Sequence, residues 1–339
     1  MVYFLNGLTK ESCLLSNLLQ GEVMKKRYLV LALIILSICS IFVGVKEITL
    51  LDILHINEEK VQIVLISRIP RLISVVIAGI AMSISGLIMQ QISRNKFVSP
   101  TTAATVDSAK LGMLVSMLLF TSATTFQKMS ISFVFALGGT FLFMKILKKV
   151  KYKNAIFIPL VGIMIGNIID SITTFFAYKY GLVQNISSWL QGNFSMVMKG
   201  RYELLYISIP FLIIAFFYAN KFTVAGMGED FSTNLGVNYN KVVNIGLVIV
   251  ALATSLVIIT VGRIPFLDLI IPNIVTIYEG DNIKKAIPKV GLLGAVFVLF
   301  CDILGRIIIF PYEVSIGLTV GVIGSIVFLY LLMRRHRHE

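Results

Sequence analysis

Long apolar runs separated by short polar segments make up most of the chain. A bilayer core needs roughly 20 apolar residues per helix, and windows of that length mark about ten spans. They cover residues 28–45, 69–91, 103–121, 129–147, 155–177, 204–219, 242–261, 265–278, 288–305 and 314–333. The eighth span is short, begins at Pro265 and contains Pro272, so we expect it to be broken, tilted or buried within the bundle. The pattern predicts an all-α polytopic membrane protein with about ten transmembrane helices.

Residues 1–23 fit this pattern poorly. Met24 and the basic residues after it lead directly into an apolar run, which is a more natural start for a first span. We interpret residues 1–23 as an N-terminal extension or a mis-assigned start, and residues 24–339 as a single transmembrane domain. A short amphipathic N-terminal helix is the alternative for residues 1–23.

The composition agrees with a membrane protein. The 339 residues are 57% apolar and 14% charged, whereas soluble domains carry roughly 25% charged residues. The net charge of +13 is better explained by Lys and Arg in cytoplasmic loops than by nucleic acid. If the N-terminus is cytoplasmic, the cytoplasmic segments hold most of the Lys and Arg residues. We therefore expect a multi-pass protein of the bacterial cell membrane with both termini in the cytoplasm.

The polar loop Ala225–Val237 lies between two long apolar spans. Lys221 precedes it and Lys241 follows it, which is typical of a cytoplasmic loop. A membrane protein that keeps such a segment in water is expected to use it to contact a soluble partner.

No enzyme motif is present. The chain lacks the G-x-x-x-x-G-K-[ST] loop that holds ATP phosphates, and it lacks H-E-x-x-H, G-x-S-x-G and clustered carboxylates. Cys13, Cys39 and Cys301 are isolated from one another and show no metal-ligand spacing. We expect a protein without catalytic residues, resident metal or cofactor.

Three arginines occur at predicted outer ends of spans. Arg68 and Arg71 lie in SRIPR at the start of the second span, and Arg306 lies in CDILGR at the end of the ninth. Snorkelling to the membrane interface would explain each of them. The alternative is a basic rim that pairs with carboxylates on a docking protein.

Small residues recur at the spacing of helix contacts. Gly162 and Gly166 lie in GIMIG of the fifth span, and Gly317 and Gly321 lie in GLTVG of the tenth. Such pairs let helix backbones approach closely. Packing within the subunit would explain them, and a dimer seam beside a transport pathway is the alternative.

Several aspartates lie within or at the ends of spans. Asp107 has Lys110 three residues later, which predicts a local helical pair. Asp302 comes four residues before Arg306 and could orient it. Asp170 has no partner nearby in the sequence, and an intramembrane carboxylate is a functional candidate.

Four motifs in order resemble the membrane permeases of type II ABC importers for iron-siderophores and cobalamin. The resemblance covers essentially Met24 to Arg335. The motifs are SRIPRLISVVIAGIAMSISGLIMQQISRN, GMGEDFSTNLGVN, VGRIPFLDLIIPNIV and CDILGRIIIFPYEVSIGLTVGVIGSIVFLYLL.

Within that family, IPFL followed by PNIV is similar to a subgroup serving catecholate siderophores such as petrobactin, anguibactin and enterobactin. Many members have Gly, His and Arg where Pro265, Asn273 and Thr276 stand. Asp268 stands where the family pattern has Gly, and we expect its carboxylate near the outer mouth.

The resemblance implies ten helices per subunit and a two-subunit pore lined by spans five and ten, where Gly162, Gly166, Gly317 and Gly321 lie. It also implies an external binding protein that delivers a ferric siderophore, and two cytoplasmic ATPases that bind the loop between spans six and seven. Arg68, Arg71 and Arg306 match the positions that face the binding protein. Gly228, Glu229, Leu235 and Gly236 match the ATPase-coupling segment.

The second permease subunit is expected to be a different chain, although a homodimer is also compatible with the sequence. A secondary transporter or channel without ATPase partners is the alternative function. The broken eighth span and Asp170 are the features that favour it.

Overall fold

The computed structural model describes residues 25–44, 62–100, 104–149, 157–195, 197 and 202–335. The interpretation of residues 1–23 concerns a segment outside these ranges. The described residues are helical, and the only β-type pairing among them is an isolated bridge between Gln191 and Arg263.

Twelve α-helices are described. Ten overlap the predicted spans and two are short. They are α1 Lys26–Phe42, α2 Ile69–Ser93, α3 Thr105–Leu119, α4 Thr125–Lys149, α5 Phe157–Lys179, α6 Val183–Leu190, α7 Ser208–Ala225, α8 Glu229–Asn234, α9 Tyr239–Val261, α10 Leu267–Glu279, α11 Ile283–Ile307 and α12 Ile316–Arg335. A π-helical turn, Val64–Arg68, leads into α2, and a 3₁₀ turn, Glu203–Ile207, leads into α7.

Six helical segments in the described part of the chain are long and apolar enough to cross a membrane. They are Val64–Ser93, Thr125–Phe143, Leu160–Lys179, Glu203–Ala225, Tyr239–Val261 and Ile283–Ile307. By length and composition, this confirms an all-α, multi-pass architecture. The other predicted spans overlap α1, α3, α10 and α12, which fall short of the same criteria over their described lengths.

Helix α2 lies at the centre of the bundle and packs against α1, α7, α9, α10 and α11. Small residues allow this close approach. A Cβ atom added at Gly79 would lie 2.8 Å from the Ala295 Cα of α11, and one added at Gly86 would lie 2.9 Å from the Asp268 Cα of α10. A larger side chain at either glycine would push a neighbouring backbone away.

The short helix α10 is held inside this bundle, in agreement with the expectation for the eighth span. Asp268, in its first turn, is buried and accepts a hydrogen bond from the Ser99 hydroxyl. Its backbone packs against Gly86, which lies seven residues before the end of α2, about 10 Å along the helix axis. The expected position of Asp268 near the outer mouth is therefore wrong. Its carboxylate braces α10 within the bundle.

Candidate functional site

The three predicted arginines lie near the N-terminal end of α2, and two of them, Arg71 and Arg306, share one carboxylate. Arg71 Nη2 lies 2.8 Å from Asp302 Oδ1, and Arg306 pairs with the other oxygen of Asp302. Arg71 Nη1 also lies 2.7 Å from Glu313 Oε2. The predicted orientation of Arg306 by Asp302 is confirmed, and the long-range pairs to Arg71 were not readable from the sequence.

The same arginines bind the C-terminal end of α1. Arg306 Nη1 donates to the carbonyl oxygens of Ser40 at 2.9 Å and Val43 at 3.1 Å, and Arg68 donates to the Ile41 carbonyl. The last carbonyls of a helix lack intrahelical partners and carry the negative end of its dipole. The guanidinium groups therefore cap α1 and hold it against α2 and α11.

This arginine cluster, which we define as Arg68, Arg71, Asp302, Arg306 and Glu313, is largely buried. Relative exposure is only 8% for Arg68, 9% for Arg71 and 6% for Arg306. The Glu313 side chain is more open, at 26%. Much of the positive charge is therefore already paired within the subunit, and the basic rim that would pair with a docking protein stays a prediction.

The polar loop forms a short helix, α8, between two glycines with positive φ. Gly228 has φ of 117° and Gly236 has φ of 73°, which L-residues rarely adopt. The buried Ser232 hydroxyl donates to the Gly228 carbonyl at 2.6 Å, and the Val237 N–H donates to the Ser232 carbonyl at 2.9 Å. The short helix leaves Glu229 and Leu235, two of the residues matched to the coupling segment, exposed.

One face of α8 and its flanks carries an apolar stripe that the sequence reading missed. Met227, Phe231 and Leu235 are 52%, 49% and 56% exposed. Phe231 and Leu235 are four residues apart and lie on one face of the helix and its last turn, and Met227 lies just before the break at Gly228. Three large apolar side chains on an otherwise polar loop are typical of a protein-binding surface.

The base of this loop contacts the C-terminal end of α2. A Cβ atom at Gly226 would meet the Gln91 side chain, and one at Gly228 would lie 3.3 Å from Arg94 Nη1. The helical segment Val64–Ser93 has 30 residues, which corresponds to about 45 Å. The arginine cluster and α8 therefore lie at opposite ends of one membrane-length helix.

The paired glycines face neighbours within the subunit. Gly162 and Gly166 are buried, and a Cβ atom at Gly166 would meet the Asp107 carboxylate of α3. At Gly317 it would lie 3.5 Å from the Arg263 carbonyl, and at Gly321 3.5 Å from Pro265. These contacts favour intramolecular packing and place none of the four glycines on the most exposed faces of α5 and α12.

Those exposed faces carry large apolar side chains. On α5 they are Leu160, Ile163, Met164, Ile168, Ile172, Phe175 and Phe176, and on α12 they are Leu318, Val322, Ile326, Leu329, Tyr330 and Met333.

Among the described residues, no group of three or more His, Cys, Asp or Glu side chains could hold a metal ion.

The predicted local pair of Asp107 with Lys110 is wrong. Lys110 Nζ lies 2.6 Å from Asp170 Oδ1 and donates to Thr174 Oγ1 at 3.2 Å. Asp107 instead faces Gly166, so the long lysine side chain reaches across from α3 to α5. Asp170 therefore has a partner sixty positions away, which the sequence could not indicate.

A leucine at Gly166 should weaken the contact between α3 and α5. A Cβ atom at this position would meet the Asp107 carboxylate and lie 3.7 Å from the Ala104 Cα, so Gly166→Leu must displace the Asp107 side chain or α3, and overpacking of this kind typically costs about 1–3 kcal/mol. Thermal unfolding in detergent, compared with the exposed control Ile168→Leu, measures the effect. Equal melting temperatures would contradict this packing.

The comparisons with known proteins fit this architecture. Residues 32–334 match the FecCD transport family. The chain belongs to the FecCD transport family. It is a transport permease rather than an enzyme.

Two relatives and one solved structure are informative. The chain is 66% identical over 312 residues to the petrobactin import system permease protein YclN of Bacillus subtilis, covering 92% of this chain and 99% of the relative. It is 36% identical to the ferric-anguibactin transport system permease protein FatD of Vibrio anguillarum, with 90% and 98% covered. A metal-chelate type ABC transporter in an inward-facing conformation matches with a TM-score of 0.82 at 19% identity, covering 91% of this chain and 98% of that one. The last comparison shows a shared fold.

Proposed function

We propose that this permease imports a ferric siderophore, with petrobactin or a similar catecholate as the cargo, from an external binding protein into the cytoplasm. The observation that carries the proposal is the 66% identity to a petrobactin permease over almost the whole of both chains. The cargo is a substrate in transit, so no resident metal site is required.

The proposed assembly contains a second permease subunit and two cytoplasmic ATPases. Helix α8 enters a groove on one ATPase, with Met227, Phe231 and Leu235 as apolar anchors and Gly228 and Gly236 setting the helix ends. The exposed apolar stripe on a loop that Lys221 and Lys241 flank supports this role. In this orientation both termini are cytoplasmic, and the chain crosses the membrane about ten times.

The exposed faces of α5 and α12 are proposed to meet the second permease and the pathway between the subunits. The paired glycines contribute indirectly. Gly166 holds α5 against α3, with Gly162 buried one turn earlier on the same face, and Gly317 and Gly321 hold α12 against the loop before α10. Their contacts within the subunit support this positioning role.

The arginine cluster is proposed to contact the binding protein at the opposite end of α2 from α8. Because Asp302 and Glu313 already neutralise much of its charge, we expect each arginine to contribute only modestly to docking.

Arg68→Glu should weaken the affinity of the binding protein for the purified permease at low salt. It places a negative charge on the permease opposite the acidic side chain that we expect on the binding protein. The loss should shrink as salt rises, since screening acts over about 8–10 Å. Lys128→Glu, at the start of α4, is the matched charge control. Unchanged affinity for Arg68→Glu at low salt, with the permease correctly assembled, would contradict docking at this cluster.

The cargo can be tested in iron-limited cells that lack other siderophore permeases. Expression of this chain with its partner permease, ATPase and binding protein should restore growth on ferric petrobactin. Growth without the ATPase would favour a secondary transporter. The control is that all four proteins are expressed and correctly located. Failure to accumulate ferric petrobactin under that condition would contradict the proposed cargo.

A further inference from the structure

A stripe of polar side chains runs along α5 beside its buried glycines. Asn167, Asp170, Ser171, Thr174 and Tyr178 follow one another at intervals that place them on one face of the helix. Four of the five residues are exposed. Asp170 is partly exposed, with 43% of its side chain accessible. The stripe covers about 16 Å along the helix axis.

The depth of this stripe excludes lipid as its surroundings. Asp170 is the eleventh residue of the membrane-length segment Leu160–Lys179 and therefore lies near its middle. A partly exposed carboxylate at that depth would be costly against hydrocarbon, and such residues face a bundle interior or a water-filled cavity. The neighbouring stripe of Ile168, Ile172 and Phe175 is apolar and exposed. The two stripes therefore require different surroundings. The apolar stripe is compatible with lipid or a second subunit, and the polar stripe is compatible with water.

The ion pair on this stripe has unused hydrogen-bonding capacity. A lysine ammonium has three donors. Lys110 uses one on Asp170 and one on Thr174, and the third has no acceptor among the described residues. Asp107 and Arg263 also act electrostatically at this place, so the local charges of both signs largely offset one another and the pair offers contacts without a strong net field. Conduction requires sites that a solute can enter and also leave, and a balanced pair meets that requirement.

We infer that Lys110 and the polar stripe of α5 form a water-lined contact strip for the anionic oxygens of a hydrophilic iron chelate. The ammonium of Lys110 donates its third hydrogen bond to the chelate, while Asp170 limits the residence time by competing for the same cation. This inference rests on the proposed import function.

Thiol accessibility tests the water-lined stripe without requiring transport. In the assembled transporter, with Cys13, Cys39 and Cys301 replaced by Ser, Asn167→Cys and Thr174→Cys are compared with Ile168→Cys and Ile172→Cys. A charged, membrane-impermeant methanethiosulfonate should modify the first pair about tenfold faster, since the thiolate forms readily only in water. Equal rates for the two pairs, or an unreactive first pair buried by the second subunit, would overturn the water-lined stripe.

Uptake of ferric petrobactin tests the role of Lys110. Lys110→Gln should lower uptake by about tenfold, because it replaces a charged donor with a neutral one, while ATPase stimulation by the loaded binding protein persists. Lys110→Arg should largely restore uptake, and Lys179→Gln, at the end of α5, should leave it unchanged. Wild-type uptake by Lys110→Gln would overturn the contact. If the wild-type assembly itself fails to import the chelate, the proposed function fails, and the accessibility result still decides whether the stripe is wet.

Discussion

Replacing Phe231 and Leu235 together with aspartate should nearly abolish ATP-driven transport while the permease stays folded. Both side chains are about half exposed, so their substitution removes little from the core. Burial of apolar anchors carries much of the energy of a protein interface, and losing two of them should weaken ATPase binding well beyond tenfold, since about 1.4 kcal/mol corresponds to each factor of ten. Co-purification of the ATPase and its stimulation by loaded binding protein both measure the effect.

Thr233→Asp is the matched control for this double variant. Thr233 is exposed on the opposite side of the same short helix, so it adds a carboxylate without touching the apolar stripe. Transport close to that of the unmodified protein is expected for the control. Full ATPase stimulation in the Phe231→Asp, Leu235→Asp double variant would show that α8 does not engage the ATPase through this stripe.

Asp302→Asn should cause the largest loss of stability among single substitutions in the arginine cluster. The asparagine keeps the size of the side chain but removes the anion that Arg71 and Arg306 share. Removing one member of a buried ion pair typically costs about 3–5 kcal/mol, because the remaining charge stays buried without compensation. Here two buried guanidinium groups would face each other, and α1 would lose part of its attachment to α2 and α11.

Thermal unfolding in detergent measures this loss. Glu313→Gln is the control, because Glu313 is more open to solvent and pairs with Arg71; exposed or partly exposed pairs contribute about 1 kcal/mol or less. The melting temperature should fall strongly for Asp302→Asn and slightly for Glu313→Gln. Equal effects would show that Asp302 is not the central anion of the cluster.

The predicted spans agree with the helices because burial in a membrane leaves a direct mark on composition. Each span is a local run, so its position does not depend on the rest of the fold. The same holds for α8, where polar residues between Gly228 and Gly236 marked the loop, and for the pair of Asp302 with Arg306, which are one helical turn apart.

Contacts between residues distant in the sequence could not be predicted. Lys110 was paired locally with Asp107, whereas the packing of α3 on α5 brings Asp170 within reach. Likewise, the link between Arg71 and Arg306 through Asp302 depends on how α2 and α11 cross. Glycine spacing identified a contact face on α5, but it could not indicate that α3 occupies that face.

Asp268 shows a further limit. Its place in the sequence, just after a predicted outer loop, suggested the mouth of a pathway. The chain instead turns inward at Phe266, which has φ of 63°, and α10 starts inside the bundle against Gly86. A backbone turn of this kind is not encoded in the apolar pattern that predicted the span.

ATP-dependent uptake into proteoliposomes tests the central claim most directly. The permease is reconstituted with its partner permease and ATPase, supplied with binding protein carrying radioactive ferric petrobactin, and compared with an assembly whose ATPase cannot hydrolyse ATP. We predict that the chelate accumulates inside only when ATP is hydrolysed and the binding protein is present. Equal accumulation with the inactive ATPase, or uptake driven by an ion gradient alone, would contradict the assignment as an ATP-driven importer permease.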